Sequence, residues 1–202
     1  TGINSTMTKH VQSVVKEATK LSKIKKNEHV LDIASNDGTL LKFYDKKFVT
    51  VGIDPLVNKY KKFYKKIDHK ISNFFTLKNL KKYKLDKKYK VITALSMFYD
   101  LKDPNSFIKD IKKILHEDGI FIAQLMTLKP MLDNKDLGNI CHEHLEYYTY
   151  KSLVFLFETN GLEIYKIEEN KINGGSYRIF AKHLDKGSID YNENITRSSP
   201  RR

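Results

Sequence analysis

Apolar residues recur at two different spacings along this chain, and the change from one spacing to the other predicts its elements. After Ser5 and Thr6, either of which can cap, apolar side chains recur every three or four positions, which predicts an amphipathic helix. Shorter apolar runs bounded by turn residues follow, and they predict strands. The predicted strands are 29–34, 48–54, 71–75, 90–95, 119–123, 162–167 and 177–183.

Helical patterns fill most of the gaps between these strands. They cover 39–44 and 57–67, and a further helix begins at Pro104, which is tolerated in the first helical position. Thr149 can cap a last helix that Gly161 closes. Strands that alternate with helices in this way predict an α/β fold, a doubly wound sheet with helices on both faces.

The length and the ends of the chain suggest how it is organised. A chain of 202 residues can bury one sizeable core. We expect a leading helix over 1–25, one domain over 26–183 and, over 184–202, a tail or the truncated start of a C-terminal domain. No stretch resembles a signal peptide or a membrane span, and we expect a cytoplasmic protein. The lone Cys141 excludes an internal disulfide and a cysteine-based zinc site within the chain.

The charge raises the question of a nucleic-acid partner. Lysine and arginine number 37 against 24 acidic residues, a net charge of +13, and clustered cations bind phosphates. Direct base readout favours arginine, however, and the only arginines are Arg178, Arg197, Arg201 and Arg202. The lysines fall mainly between apolar segments, where solvated loops and helix faces are expected. We therefore favour a lysine-rich surface over nucleic acid and expect no membrane partner.

The first predicted strand leads into a turn with unusual chemistry. In doubly wound folds the cofactor lies at the carboxyl end of this strand. A dinucleotide site normally has three glycines, and here only Gly38 is present. Asp32 and Asp37 would repel a pyrophosphate but suit the ammonium and sulfonium of S-adenosylmethionine. Asp54 ends the second strand 22 positions after Asp32, about the offset at which an acid reaches ribose hydroxyls.

The sequence therefore predicts an S-adenosylmethionine site at this edge of the sheet. The residues predicted to bind the cofactor are Asp32, Ala34, Ser35, Asn36, Asp37, Gly38, Asp54, Pro55, Asn73, Phe74, Leu95 and Ser96. The alternative for the turn is ordinary turn chemistry, with Asp32 as a cap. For Asn73 and Phe74, a surface turn explains the residues as well as an adenine pocket does.

Histidines, acids and tyrosines crowd the segment 141–148, which has no clear helix or strand pattern. His142, Glu143 and His144 are the catalytic candidates. They could supply three metal ligands, but they lack the helical H-E-x-x-H arrangement, so we predict no metal. A general base is the better use, because a histidine of ordinary pKa, about 6.5, accepts a proton near neutral pH. The alternative is that both histidines bind loop backbone.

A second cluster follows at 173–178, between the last two predicted strands. Its glycines predict a hairpin turn that a ligand can approach closely, and its arginine suits a phosphate, although a plain hairpin explains the glycines equally well. The residues predicted to bind substrate are Tyr147, Gly174, Gly175, Ser176 and Arg178.

Three of these motifs together resemble the nucleotide-sugar C-methyltransferase family. They are Asp32 to Leu41, His142-Glu143-His144, and Gly174-Gly175-Ser176-Tyr177-Arg178, and the resemblance spans most of 2–183. It implies a Rossmann-like, seven-stranded methyltransferase sheet, S-adenosylmethionine as cofactor, and a nucleotide-linked keto sugar or related small metabolite as substrate.

The resemblance also implies a reaction. A keto group activates the neighbouring sugar carbon, a histidine removes its proton, and the resulting enolate attacks the methyl group in line. His144 matches that base, Glu143 matches an adjacent acid that orients the base or the sugar, and Asp54 matches the residue that holds the ribose. Ala34 stands in place of a glycine of the family, and Cys141 in place of a tyrosine.

Other readings remain open beside this one. The family has an N-terminal zinc-binding domain and a further C-terminal domain that this chain lacks, so we expect a central fragment. The segment 95–100 lacks the Asn-Pro-Pro-Tyr type of motif with which nucleic-acid methyltransferases hold a flipped base, which counts against that class. A histidine base would also serve an O-methyltransferase, and a catalytically silent binding module could share the fold.

Overall fold

A computed structural model describes residues 2, 4–136, 138–170 and 175–185 of the chain. Its strands are β1 (His29–Ile33), β2 (Val49–Ile53), β3 (His69–Ile71), β4 (Tyr89–Leu95), β5 (Leu115–Met126), β6 (Leu162–Asn170) and β7 (Ser176–His183). They form one seven-stranded sheet in the order β3-β2-β1-β4-β5-β7-β6. The first five are parallel, and β7 runs antiparallel between β5 and β6. This confirms the predicted doubly wound fold, and the last two predicted strands pair antiparallel.

Five α-helices accompany the sheet in the described part of the chain. They are α1 (Ser5–Ser22), α2 (Leu77–Lys82), α3 (Pro104–Ile114), α4 (Leu128–Asp133) and α5 (Tyr150–Thr159). The cap of α1 is Asn4, whose Oδ1 accepts from the Met7 amide at 3.0 Å, so the prediction of Ser5 or Thr6 was one or two residues late. Pro104 opens α3 and Thr149 caps α5, as predicted.

The sheet separates two apolar cores. On one face α2, α3 and α5 cover the strands, with buried members that include Leu80, Ile108, Ile111, Leu153 and Phe157. On the other face α1 contributes Val14, Val15 and Ala18 to the core that contains Val30, Val91 and Phe180. The leading helix therefore packs onto the sheet itself. None of the described helices is both long and apolar enough to cross a membrane.

Two predicted helices are wrong. The segment predicted as a helix over 39–44 holds only a 3-10 turn, Leu41–Phe43, and the segment 57–67 holds only Lys61–Tyr64. Lysines at 61 and 65, and again at 62 and 66, would repel each other four positions apart on a helix. Tertiary contacts of the buried Tyr64 set the local conformation instead.

Several predicted boundaries were also displaced. The third strand ends at Ile71 rather than beginning there, and the fifth strand, predicted over 119–123, extends from Leu115 to Met126. A short helix, α4, lies in a stretch that showed no pattern. Of the predicted tail over 184–202, only Leu184 and Asp185 lie within the described residues.

Candidate functional site

The turn after β1 has a backbone that few residues adopt. Ala34, Asn36 and Gly38 have φ values of +56°, +51° and +69°. A Cβ on Gly38 would lie 2.5 Å from Cδ1 of Ile67, so glycine is needed there for space as well as for conformation. Three left-handed residues in five positions fold the chain tightly at the carboxyl end of β1, where the sequence predicted a cofactor turn.

Asp54 holds this turn from the end of the neighbouring strand. Its Oδ2 accepts a hydrogen bond from the Asn36 amide at 3.0 Å, and its Oδ1 accepts one from the Leu56 amide at 2.6 Å. The Ser35 amide also donates to the Ile53 carbonyl at 3.3 Å. The structure thus brings together the turn and the acid that the sequence placed 22 positions after Asp32.

Asp32 is buried beneath the turn in an environment that disfavours its charge. Only 4% of the residue is exposed, and Oδ1 accepts a hydrogen bond from the Thr93 hydroxyl at 2.6 Å. Burial raises the pKa of Asp32 to about 7, the Thr93 hydrogen bond opposes that rise, and the negative charge of Asp54 adds to it. A cationic ligand here would favour the ionised carboxylate.

Asp37 behaves differently in the same turn. Burial acts to raise its pKa, but hydrogen bonds from the Gly2 amide at 2.8 Å and from Thr39 outweigh burial and lower the pKa of Asp37. The turn therefore carries one carboxylate that is stabilised in its ionised form and one, Asp32, that is not.

The remaining predicted cofactor residues lie at the ends of neighbouring strands. Ser96 follows β4 with a φ of +55°, and its amide donates to the Gln124 carbonyl at 2.8 Å, while Leu95 is the last residue of β4. Pro55 follows Asp54 and is exposed. The Asn73 side chain accepts from the Phe74 amide, and Phe74 is 72% exposed. Phe74 therefore points to solvent in this structure.

His144 is held with one ring nitrogen engaged and the other available. Its Nδ1 lies 2.8 Å from the Asn139 carbonyl oxygen. A carbonyl only accepts, so Nδ1 carries the proton in the neutral ring and Nε2 keeps its lone pair. The Tyr147 hydroxyl donates to the same carbonyl at 3.3 Å, and the Asn139 side chain donates to Asp136 at 2.5 Å. Hydrogen bonds thus set the tautomer that a general base needs.

Tyr99 ties this histidine to the carboxyl end of β4. The two rings have centroids 4.4 Å apart, and the amides of Leu145 and Glu146 donate to the Tyr99 carbonyl at 2.9 and 3.2 Å. Tyr99 lies four residues beyond Leu95, the last residue of β4. The histidine segment is therefore anchored at the carboxyl end of the parallel strands, where the turn after β1 also lies.

His142 and Glu143 point away from these contacts. Their side chains are 91% and 68% exposed, and Nε2 of His142 lies 3.4 Å from Oε1 of Glu143. Of the three catalytic candidates, the structure orders only His144 against its neighbours. In the described ranges, no three histidine, cysteine, aspartate or glutamate side chains come together as a metal-binding group.

Arg178 lies under α1 rather than in an open site. Its guanidinium pairs with Glu17 and Glu168, each at 3.3 Å, and Nε donates to the Gln124 side chain at 3.3 Å. Only 8% of the arginine side chain is exposed. His10 of α1 binds the same glutamine at 2.8 Å. Two carboxylates already compensate this cation, and its role in binding substrate stays a prediction.

Gly175 and Ser176 lie beside a cavity of about 800 Å³. Its lining includes Lys129, Asn134 and Asp136. Gly175 has a φ of +122°, and a Cβ there would lie 2.6 Å from Cβ of Pro130. This glycine therefore has a structural reason that the sequence did not reveal. Asn173 and Gly174 lie outside the described residues.

Sequence reasoning missed several residues that build the site. Thr93 is the register partner of Asp32 on the adjacent strand, a relation that becomes visible once the strand order is known. Tyr99 and Asn139 make the contacts that orient His144. Tyr64, whose hydroxyl contacts the turn after β1, was hidden by the wrong helix prediction.

Comparisons with known proteins agree with this architecture. A family model described as a methyltransferase domain matches residues 6–167. A structure of an S-adenosylmethionine-dependent methyltransferase from Clostridium acetobutylicum superposes with a TM-score of 0.68 at 13% identity, covering 88% of this chain and 92% of that one. Magnesium protoporphyrin IX methyltransferase from Synechocystis, solved with bound S-adenosylhomocysteine, gives 0.63 at 13%, covering 89% and 84%.

One curated relative is a C-methyltransferase. The chain is 28% identical to C-methyltransferase NovU of Streptomyces niveus over 92 residues, which are 46% of this chain and 22% of that protein. The match thus spans about a fifth of the relative. The family model covers most of the chain, and the two solved structures share its fold. The chain therefore belongs to the methyltransferase-domain family of enzymes, with the sheet of S-adenosylmethionine-dependent methyltransferases.

Proposed function

We propose that this chain binds S-adenosylmethionine at the carboxyl edge of its sheet and methylates a carbon next to a carbonyl in a nucleotide-linked keto sugar or a related small metabolite. The ordered His144, with its free Nε2 near the end of β4, is the observation that carries the proposal. The NovU match supports carbon as the methylated atom.

The turn after β1 fits the proposed cofactor. Its left-handed residues allow the backbone to approach a ligand, and Asp32 gains from a cation because burial disfavours its charge. In this proposal Asp54, at the end of β2, accepts hydrogen bonds from the ribose hydroxyls. In this proposal Leu95 and Ser96 border the same site from β4. When bound, S-adenosylmethionine supplies a methyl group on a positively charged sulfur.

His144 supplies the proton chemistry. Its Nε2 accepts the proton from the carbon next to the carbonyl, and the electron pair moves onto the carbonyl oxygen as an enolate. The Asn139 carbonyl then stabilises the imidazolium through Nδ1, because it already accepts that hydrogen. In this proposal Glu143 and His142 assist from the exposed side, where a bound sugar would remove them from solvent.

We assign the sugar to the cavity beside Gly175 and Ser176. Its amides, carboxylates and Lys129 offer hydrogen-bonding partners for hydroxyl groups. Asp136 lines the cavity and also binds the Asn139 side chain, and Asn139 orients His144. Hydrogen bonds through Asp136 and Asn139 therefore connect the lining of the cavity to the proposed base, His144. Tyr147 is held at the same carbonyl as His144.

The test isolates proton removal from methyl transfer. The chain is incubated in D₂O, without cofactor, with a nucleoside-diphosphate-linked keto-deoxysugar, and deuterium uptake at the carbon next to the carbonyl is followed by NMR. We expect catalysed exchange that falls at least about 100-fold in His144→Gln. His116→Gln is the matched control, since His116 is a half-exposed histidine at the opposite end of β5 whose partner is Asp118.

Two results would contradict the proposal. Exchange that survives in His144→Gln would remove this residue as the base. A wild-type chain that shows no exchange, yet methylates a hydroxyl when S-adenosylmethionine is added, would be an O-methyltransferase.

A further inference from the structure

Tyr64 is fully buried directly beneath the turn that follows β1. Its hydroxyl lies 2.8 Å from the Asn36 carbonyl and 2.8 Å from Oγ of Ser35, and the residue has 0% exposure. A phenol has one proton, and the carbonyl can only accept. Tyr64 therefore donates to Asn36 and accepts from Ser35. Burial raises the pKa of Tyr64, so the hydroxyl keeps that proton.

The ring of Tyr64 also lies close to two glycines. A Cβ on Gly38 would lie 3.2 Å from Cε1 of Tyr64, and a Cβ on Gly52 of β2 would lie 3.0 Å from the same atom. The ring thus occupies the space between the turn and β2 that both glycines leave open. Tyr64 is the last residue of the 3-10 turn Lys61–Tyr64.

The hydroxyl of Tyr64 contacts two residues of the turn after β1, Asn36 and Ser35. Asn36 is left-handed at a φ of +51°, and its carbonyl receives the Tyr64 proton while its amide binds Asp54. The peptide groups before and after Asn36 are therefore each held by a hydrogen bond to a side chain. Ser35 is 5% exposed, and its hydroxyl is used by the same phenol.

We infer that Tyr64 is a positioning residue for the cofactor, and that its hydroxyl holds Ser35 and Asn36 in the conformation that receives S-adenosylmethionine. The inference rests on the cofactor part of the proposed function. If Tyr64 only filled the core, loss of its hydroxyl would lower stability and leave cofactor affinity unchanged.

Tyr64→Phe tests this against a matched variant, Tyr89→Phe. Tyr89 is also fully buried, and its hydroxyl donates to the Leu85 carbonyl at 2.5 Å. It is the first residue of β4, at the amino end of the strand, whereas the turn lies at the carboxyl ends of the parallel strands. Both changes remove one buried hydroxyl and keep the ring. We measure the Kd of S-adenosylhomocysteine by calorimetry and the unfolding midpoint in urea.

We expect similar losses of stability, with Kd about tenfold higher in Tyr64→Phe and unchanged in Tyr89→Phe. A second measurement introduces Ser35→Ala into the wild type and into Tyr64→Phe and compares the Kd of S-adenosylhomocysteine. Since Ser35 donates to Tyr64, its removal should raise Kd less in the Tyr64→Phe background than in the wild type.

Equal affinities in wild type and Tyr64→Phe would overturn the inference and leave the proposed cofactor site standing. Additive effects of the Ser35 and Tyr64 changes would overturn it as well. A folded wild-type chain that binds no S-adenosylhomocysteine would overturn the proposed function, and this inference with it.

Discussion

Replacing Asp32 by asparagine should make the ligand-free chain more stable, by an amount that depends on pH. The carboxylate is 4% exposed, and burial, opposed by the Thr93 hydrogen bond, raises its pKa from 3.8 to about 7. Asparagine has nearly the same shape, and its Oδ1 can still accept from the Thr93 hydroxyl, which lies 2.6 Å from Oδ1 of Asp32. The variant therefore removes the buried charge with little change in packing.

The direction in which stability changes with pH follows from the number of protons that the folded and unfolded chains bind. Between pH 4 and 7 the folded chain holds a proton on Asp32 that the unfolded chain has lost, so stability falls as pH rises through this window. Above pH 7 both states are ionised and the penalty is constant. At about 1.4 kcal/mol for each pKa unit, the full penalty is on the order of 4 kcal/mol.

The assay is urea unfolding of wild type and Asp32→Asn at pH 5, 6, 7 and 8, followed by circular dichroism. We expect the advantage of the variant to grow by about 2 to 3 kcal/mol from pH 5 to pH 8. An advantage that stays constant with pH, or shrinks as pH rises, would refute the buried carboxyl as the cause.

Asp68→Asn supplies a control of opposite sign. Burial acts to raise the pKa of Asp68, but hydrogen bonds from the amide and hydroxyl of Thr50, at 2.8 and 2.7 Å, outweigh burial and lower that pKa. Its ionised form therefore stabilises the chain above the ordinary pKa of the group, and this stabilisation is lost as pH falls. Asp68→Asn should therefore be less stable than wild type by a constant amount from pH 5 to 8, and this deficit should shrink only as pH falls below about 4.

Two further changes test the site in the same urea assay. Ala34→Gly should raise the free energy of unfolding by about 0.5 to 1 kcal/mol. The strain that a φ of +56° imposes on alanine is larger than the stabilisation of the unfolded state by the conformational freedom of glycine. A loss of stability would contradict this. Arg178→Met should lower the free energy of unfolding by about 2 kcal/mol, since Glu17 and Glu168 would keep only Lys166 as a shared cation and would lose their charged hydrogen bonds to Arg178, whereas wild-type stability would mean that Arg178 is free to serve a substrate.

The sequence predicted those features that depend on local signals. Pro104 at the start of α3, the cap at Thr149 and the turn at Gly38 are read from neighbouring residues, so α3, α5 and the turn after β1 were placed correctly. The doubly wound fold class follows from the alternation of strands and helices, whereas the strand order is known only from the structure. His144 stood out because polar groups crowd its segment, but its tautomer depends on the Asn139 carbonyl, which no spacing rule identifies.

The features that the sequence did not predict depend on contacts between distant residues. Arg178 pairs with Glu17 across 161 positions, so its burial under α1 could not be read from the Gly-Gly-Ser segment beside it. Tyr64 reaches Asn36 across 28 positions, and that contact overrides the helical spacing of its own segment. In both cases the sequence identifies the residue, but it does not identify the distant residue that the side chain contacts.

The location of the cofactor is the central claim, and it is tested most directly by NMR. S-adenosylhomocysteine is added to the ¹⁵N-labelled chain, and the assigned amide shifts are compared with and without the ligand. We predict the largest changes at Ala34, Asn36, Gly38, Asp54 and Ser96. Saturating changes confined to other residues, or none in a folded chain, would contradict the account.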